Sequence, residues 1–162
     1  MAESSLRADR PKRRGGLPNA LFLVAAAETP PPALCGIADE LTIAFPWGSL
    51  LRGALGLDDA AAAGIAALIK PGGSLHSLVS IADRDGLGME ALAHEDRGAV
   101  AERWSGHGLE LRCFRPATAT DIEAIGSTWA KRLGVGRAGA AGTRRPAWRL
   151  DLRRNGQPGD DG

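Results

Sequence analysis

Residues 39–53 read DELTIAFPWGSLLRG, and the fold class is decided by the change of period inside that stretch. Residues 39–45 (DELTIAF) are a strand-length apolar run stopped by Pro46, because proline cannot extend a β-ladder. From Gly48 to Leu57 the spacing becomes helical, so a strand hands over directly to a helix. Upstream, residues 19–27 (NALFLVAAA) form another continuous apolar run, bounded by Pro18 and by Glu28 with the prolines at 30–32. Both runs are expected as strands buried on both faces, as in a parallel sheet. Downstream, residues 58–69 predict a helix whose Asp58-Asp59 start suits a positive helix N-terminus and whose stop is Pro71-Gly72-Gly73. Residues 74–81 alternate as a strand, 95–104 as a helix with Val100 and Trp104 on one face, and 109–114 as a strand. Residues 120–133 predict a helix capped by Thr120, with Glu123 completing the capping box, and 147–152 a last short strand. Strands alternating with helices predict an α/β domain with a mostly parallel sheet.

The 162 residues suit one domain, and 44% hydrophobic with 24% charged residues is a globular composition. Residues 1–16 read as a weak helix and basic linker broken at Gly15-Gly16, 17–154 as the folded domain, and 155–162 as a flexible polar tail. No apolar run approaches the roughly 18 residues of a membrane span and the N-terminus lacks a secretory core, so a soluble cytoplasmic protein is expected. Two cysteines, Cys35 and Cys113, are too few for a disulfide scaffold and are expected as reduced, buried thiols. His76, His94 and His107 share no ligand spacing with each other or with the cysteines, so no metal site is expected.

The net charge of +1 hides an asymmetry: residues 1–16 carry +3, residues 17–126 carry −7, and residues 127–154 carry +7. Two cationic segments around an acidic body fit a polyanion-binding face if the fold joins them, and otherwise are solvated termini.

Candidate chemistry gathers at two tryptophans. Trp47 sits where a strand ends and a helix begins, the place where open α/β sheets bind ligands. Ser49 follows in the first helical turn, whose N–H groups attract anions. Trp129 precedes Lys131 and Arg132, and an indole beside cations is what holds a nucleotide base while gripping phosphate. Taken singly, either indole reads as a core residue before a ligand platform, and only the pair together points to a ligand.

Four ordered stretches, GGLPNALFLVAAAE (15–28), FPWGSLLRGALG (45–56), Arg115-Pro116 and STWAKRLG (127–134), resemble the adenine-N1 methyltransferases of small-subunit rRNA that confer aminoglycoside resistance. The resemblance covers most of residues 1–133, is strongest at PWGSLLRG and is weak over 82–107. It implies a class I, Rossmann-like methyltransferase using S-adenosyl-L-methionine, with the small ribosomal subunit and its 16S rRNA as partner. It further implies that the target adenine leaves the decoding-site helix and is clamped between Trp47 and Trp129, that the Pro46 backbone meets the adenine edge, and that Ser127 helps to position it. Ala27 and Glu28 match positions near the cofactor adenosine, and Ser49 one near its amino-acid end. Lys131, Arg132 and Arg137 match an rRNA-phosphate grip, and Lys12, Arg13 and Arg14 a linker that also docks on the subunit. No catalytic His or Cys is implied, since an unpaired adenine N1 already carries the attacking lone pair.

The sequence departs from the family in one respect. The family's sheet order is 3-2-1-4-5-7-6, with a glycine-rich D-x-G-x-G loop after the first strand and a ribose-binding acid after the second; neither is found here. The expected fold is therefore a partial class I fold lacking the first two strands, with residues 19–27 as the family's third strand. The strand at 39–45 is left with an edge to be re-paired or covered. Cofactor binding by this chain alone is expected to be weak or absent, and the alternative reading is a non-catalytic RNA-binding remnant.

Overall fold

The computed structural model describes residues 6, 8, 10–17, 19–80, 97–125 and 147–156. They form β1 (Ala38–Ala44), α1 (Gly48–Ala54), α2 (Asp59–Leu68), β2 (Ile69–Ser80), α3 (Arg97–Ser105), β3 (Leu109–Pro116), α4 (Ala119–Ala124) and β4 (Ala147–Arg154), with 3-10 turns at Lys12–Arg14 and Pro32–Leu34. The strands make one sheet in the order β1-β2-β4-β3. β1 and β2 run parallel, with Leu41 opposite Leu75; β4 runs antiparallel to both neighbours, placing Leu150 between Ser77 and Phe114. This order matches the last four strands of the sheet that the resemblance implies.

Local chemistry explains the junctions. Asp58 caps α2 by accepting the Ala61 N–H at 3.1 Å. α1 and α2 touch through Gly53, where a Cβ would stand 2.5 Å from the Ala61 methyl. Alternation along the strands sends Ile43, Leu75, Val79, Leu150 and Leu152 to one face, where they pack with Leu51, Leu55, Ile65, Val100 and Trp104 into the main core. The opposite face carries Glu40, Thr42, His76, Arg149 and Asp151, with a small apolar cluster of Phe45, Leu78 and Ala147 at one end. Trp104 is fully buried, and Trp148 stacks on Phe114 at 5.0 Å, so both are packing residues.

Several expectations are corrected. Residues 19–27 are not a strand: they carry no ladder, and Leu21 and Val24 are largely exposed. An apolar run becomes a strand only when another strand offers its edge, and among the described residues β1 pairs with β2 alone. β1 is accordingly an edge strand, with Ile43 its one buried residue, instead of a strand buried on both faces. The sheet is mixed, because β4 reverses direction. α2 ends at Leu68 without the Pro-Gly-Gly stop; Pro71, Gly72 and Gly73 instead lie within β2, in the irregular stretch between the Ala38–Ile69 and Glu40–Ser74 pairs. Gly73 is needed there, since a Cβ would come within 2.8 Å of the Ala38 carbonyl oxygen. α4 is capped by Thr118 with Asp121, not by Thr120 with Glu123. Cys35 is exposed and Cys113 half-buried, so neither is a buried thiol. Ile81, His94, Glu95, the 126–133 part of the last predicted helix and residues 157–162 lie outside the described residues.

Candidate active site

The turn from β1 to α1 is built to expose an indole. Phe45 turns into the apolar cluster with Leu78 and Ala147, and its N–H donates to the Leu78 carbonyl at 2.7 Å. Its φ is +50°, a left-handed conformation costing a residue with a Cβ about 1–2 kcal/mol. Gly48 takes a second left-handed turn at φ +61°. Between them Pro46 is buried while Trp47 projects outward with 79% of its surface exposed. Ser49 is exposed in the first turn of α1. Backbone strain and an exposed large aromatic coincide here, and strain of this kind clusters at functional sites.

Ser127, Trp129, Lys131, Arg132 and Arg137 lie outside the described residues. Both ends of the segment that holds them are fixed beside the Trp47 loop. Ile125 and Ile122 of the departing chain and Ala147 of the returning chain pack in the same cluster as Phe45. Ala147 also accepts the Ala117 N–H at 2.8 Å, which closes the two stems against each other. Trp129 stands four positions after Ile125, a reach of at most about 14 Å.

Ala27, Glu28 and Ser49 are brought together: all three line one cavity of about 400 Å³ with Leu41, Ile43, Leu50 and Ile65. The Ala27-Glu28 turn is seated by Gly64 of α2, where a Cβ would stand 1.8 Å from the Ala27 carbonyl oxygen. A purine nucleoside with a zwitterionic amino-acid arm needs flat apolar walls and a few polar groups. Leu41, Ile43, Leu50 and Ile65 offer the walls, and the Glu28 carboxylate and Ser49 hydroxyl the polar groups, so the residues present fit the nucleoside part of S-adenosylmethionine. Among the described residues no strand ends in a glycine-rich loop.

Lys12, Arg13 and Arg14 are exposed on one 3-10 turn. The turn is closed by backbone bonds, Leu17 N–H to the Ala8 carbonyl at 2.9 Å and Arg14 N–H to the Pro11 carbonyl at 2.7 Å. The C-terminal cations divide differently than their sum suggests. Arg154 donates to the carbonyls of Ala66 and Ile69, and Arg149 is held by carboxylates, so both serve the fold.

Sequence reasoning missed one group. Asp121, nearly buried, receives both guanidinium nitrogens of Arg115 at 2.7 and 3.0 Å, Arg149 Nη1 at 2.6 Å, and the N–H and hydroxyl of Thr118 at 2.7 Å each. The Arg115 guanidinium holds its carboxyl far below the usual carboxylate range against the upward push of burial, and Thr118 and Arg149 add to the effect. Arg149 also donates to Asp151 at 2.7 Å, and Asp151 meets His76 Nδ1 at 2.8 Å. Burial pushes the Asp151 carboxyl up, but the Arg149 and His76 hydrogen bonds outweigh it and hold it below the ordinary value. The sequence signals were the Thr118-x-x-Asp121 capping-box spacing and the Arg149-x-Asp151 spacing, which places both of the latter on one strand face.

Comparison with known proteins gives four consistent findings. The model of the NpmA family, 16S rRNA (adenine(1408)-N(1))-methyltransferase, matches residues 1–144. The 16S rRNA (adenine(1408)-N(1))-methyltransferase of Streptoalloteichus hindustanus is 34% identical over 143 residues, 85% of this chain and 66% of that protein. The chain thus spans just under two thirds of that relative's length. Among solved structures, a mutant of the 16S rRNA (adenine(1408)-N(1))-methyltransferase from Catenulisporales acidiphilia with cosubstrate SAM superposes with TM-score 0.74 at 29% identity, covering 100% of this chain and 73% of that one. The aminoglycoside resistance methyltransferase NpmB1 superposes with TM-score 0.69 at 32% identity, covering 95% and 70%.

Proposed function

Since the chain belongs to the family of 16S rRNA (adenine(1408)-N(1))-methyltransferases, we propose that it methylates adenine N1 in the rRNA of the small ribosomal subunit, in the cytoplasm, with the target base flipped and clamped between Trp47 and Trp129. The observation that carries this reading is the Trp47 indole, displayed on a strained turn whose anchor, Phe45, also packs against both stems of the segment containing Trp129.

Ala27, Glu28 and Ser49 would hold S-adenosylmethionine, which supplies an electrophilic methyl on its sulfonium sulfur. The chain's own groups do the rest. Flipping a base costs a few kcal/mol, and stacking on an aromatic side chain returns about 1–3 kcal/mol per contact, so two indoles can offset it. Pro46 has no N–H, so its backbone can meet the adenine edge only by accepting a hydrogen bond at its carbonyl, which suits the exocyclic amine. Ser127 would fix the base within the clamp. Adenine N1 needs no general base, and alignment is the main requirement. The methylated base is cationic, and an indole face favours it by roughly 0.5–2 kcal/mol. Lys12, Arg13, Arg14, Lys131, Arg132 and Arg137 would hold rRNA phosphates, positioning the subunit without reading sequence.

The exposed Lys12–Arg14 turn, which needs no cofactor to meet phosphate, also fits a second reading, a non-catalytic RNA-binding protein with the same face. Purified small subunits incubated with tritiated S-adenosylmethionine separate the two. Methylation by the wild-type chain that falls roughly tenfold to a hundredfold in Trp47→Ala, at unchanged melting temperature, supports the clamp. Trp47→Ala methylating like wild type overturns it, and subunit binding without any methyl transfer leaves the second reading.

A further inference from the structure

The geometry points to Asp121 as a positioning residue for the base clamp, acting through Arg115 and Arg149 to fix where the chain departs toward Ser127 and Trp129; this rests on the methyltransferase reading above. Three elements converge on its carboxylate: Arg115 from β3, Arg149 from β4, and the Thr118 cap of α4 itself. α4 has only six residues, too few to hold a direction by its own hydrogen bonds. Its heading is therefore set from outside, by a carboxylate tied to two strands at its first turn and by Ile122 and Ile125 packed on the Phe45 cluster at its last. Phe45 belongs to the same chain turn as Trp47, so one rigid unit spans the Trp47 loop and the stem leading to Trp129. Displacements of about an ångström in such supports cost catalysis far more than binding.

The test compares wild type, Asp121→Asn and Asp121→Glu on purified small subunits with S-adenosylmethionine, alongside hydrogen exchange of residues 119–125. Asn keeps the shape and loses the charge that two arginines require, while Glu is the standard acid at this capping-box position and should rescue. The expected result is a kcat at least about tenfold lower in Asp121→Asn with the KM for subunits within about twofold, faster exchange confined to 119–125, and recovery in Asp121→Glu. A kcat equal to wild type, or equal losses in kcat and KM that track a lowered melting temperature, overturns the proposal. Should Asp121→Asn fold poorly, Arg149→Lys, which keeps charge but not the fork to Asp121 and Asp151, should give the same split in kcat against KM, and its absence overturns the proposal. A wild-type chain that transfers no methyl sinks the function reading instead; exchange at 119–125 then decides alone, unchanged in Asp121→Asn against the positioning role and faster in its favour.

Discussion

The N–H of Phe45 donates to the carbonyl of Leu78 at 2.7 Å, one residue beyond the last β1–β2 pair, while the Phe45 backbone already turns left-handed at φ +50°. The hydrogen bond and the buried ring together hold a conformation that a non-glycine residue avoids. Removing the ring should therefore separate two effects. Phe45→Ala should lose about 3–5 kcal/mol of unfolding free energy in urea. Phe45→Gly, although smaller, should be about 1 kcal/mol more stable than the alanine variant, because glycine adopts that φ freely. The reverse order would mean that the turn is not strained.

Gly64 gives a prediction of opposite sign to helix propensity. Glycine to alanine in an exposed helix interior normally adds about 1 kcal/mol. Here the new methyl would stand 1.8 Å from the Ala27 carbonyl oxygen, and backbone cannot step aside as a flexible side chain can. Gly64→Ala should lose roughly 1–3 kcal/mol and displace the Ala27-Glu28 turn from the cavity wall. Thermal unfolding and S-adenosylmethionine calorimetry should both register the change. A stabilised variant would show that the turn is not seated on α2.

What the sequence disclosed divides by range. The β1-to-α1 turn, the Asp58 cap and the buried Trp104 rest on neighbours within a few positions, and they were legible. Residues 19–27 misled, because an apolar run carries no information about whether a partner strand is at hand. The α4 cap shows the same limit: Thr118-x-x-Asp121 and Thr120-x-x-Glu123 both satisfy the template, and the choice is made by Arg149, 28 positions after Asp121, which cross-strand register brings to 2.6 Å. At the candidate site, the place of Pro46 and Trp47 between strand and helix was readable, whereas the contact of Pro46 with a base came only from the family resemblance. The gathering of Ala27, Glu28 and Ser49 around one cavity followed from family resemblance, since 21 positions separate Glu28 from Ser49. The arginines at 149 and 154 counted toward a basic face, yet the fold uses both internally.

Asp121 also sets an acid limit on stability. Its folded carboxyl titrates far below the unfolded value near 3.9, so its contribution is complete above that pH and drains away as the pH falls below it. The unfolding free-energy difference between wild type and Asp121→Asn, measured in urea, should be level from about pH 5 to 8 and shrink toward pH 3. A difference that stays constant into acid would show that shape, not charge, holds the cluster.

The Lys12–Arg14 turn should act on RNA through charge alone. Three exposed cations share one turn, closed by the Leu17–Ala8 backbone bond, so among the described residues backbone bonds hold the turn and its side chains are left to face phosphate. Each neutralised phosphate releases a counterion, which makes the salt dependence of binding a count of such contacts. Replacing Lys12, Arg13 and Arg14 together by alanine should leave the melting temperature within about 1 °C, because exposed side chains outside the packing contribute little. The slope of log K against log salt for small-subunit binding should become shallower by roughly two, at about 0.7–0.9 per lost contact. An unchanged slope would place this turn away from the RNA, and the cations at 131, 132 and 137 would then have to carry the electrostatic contact by themselves.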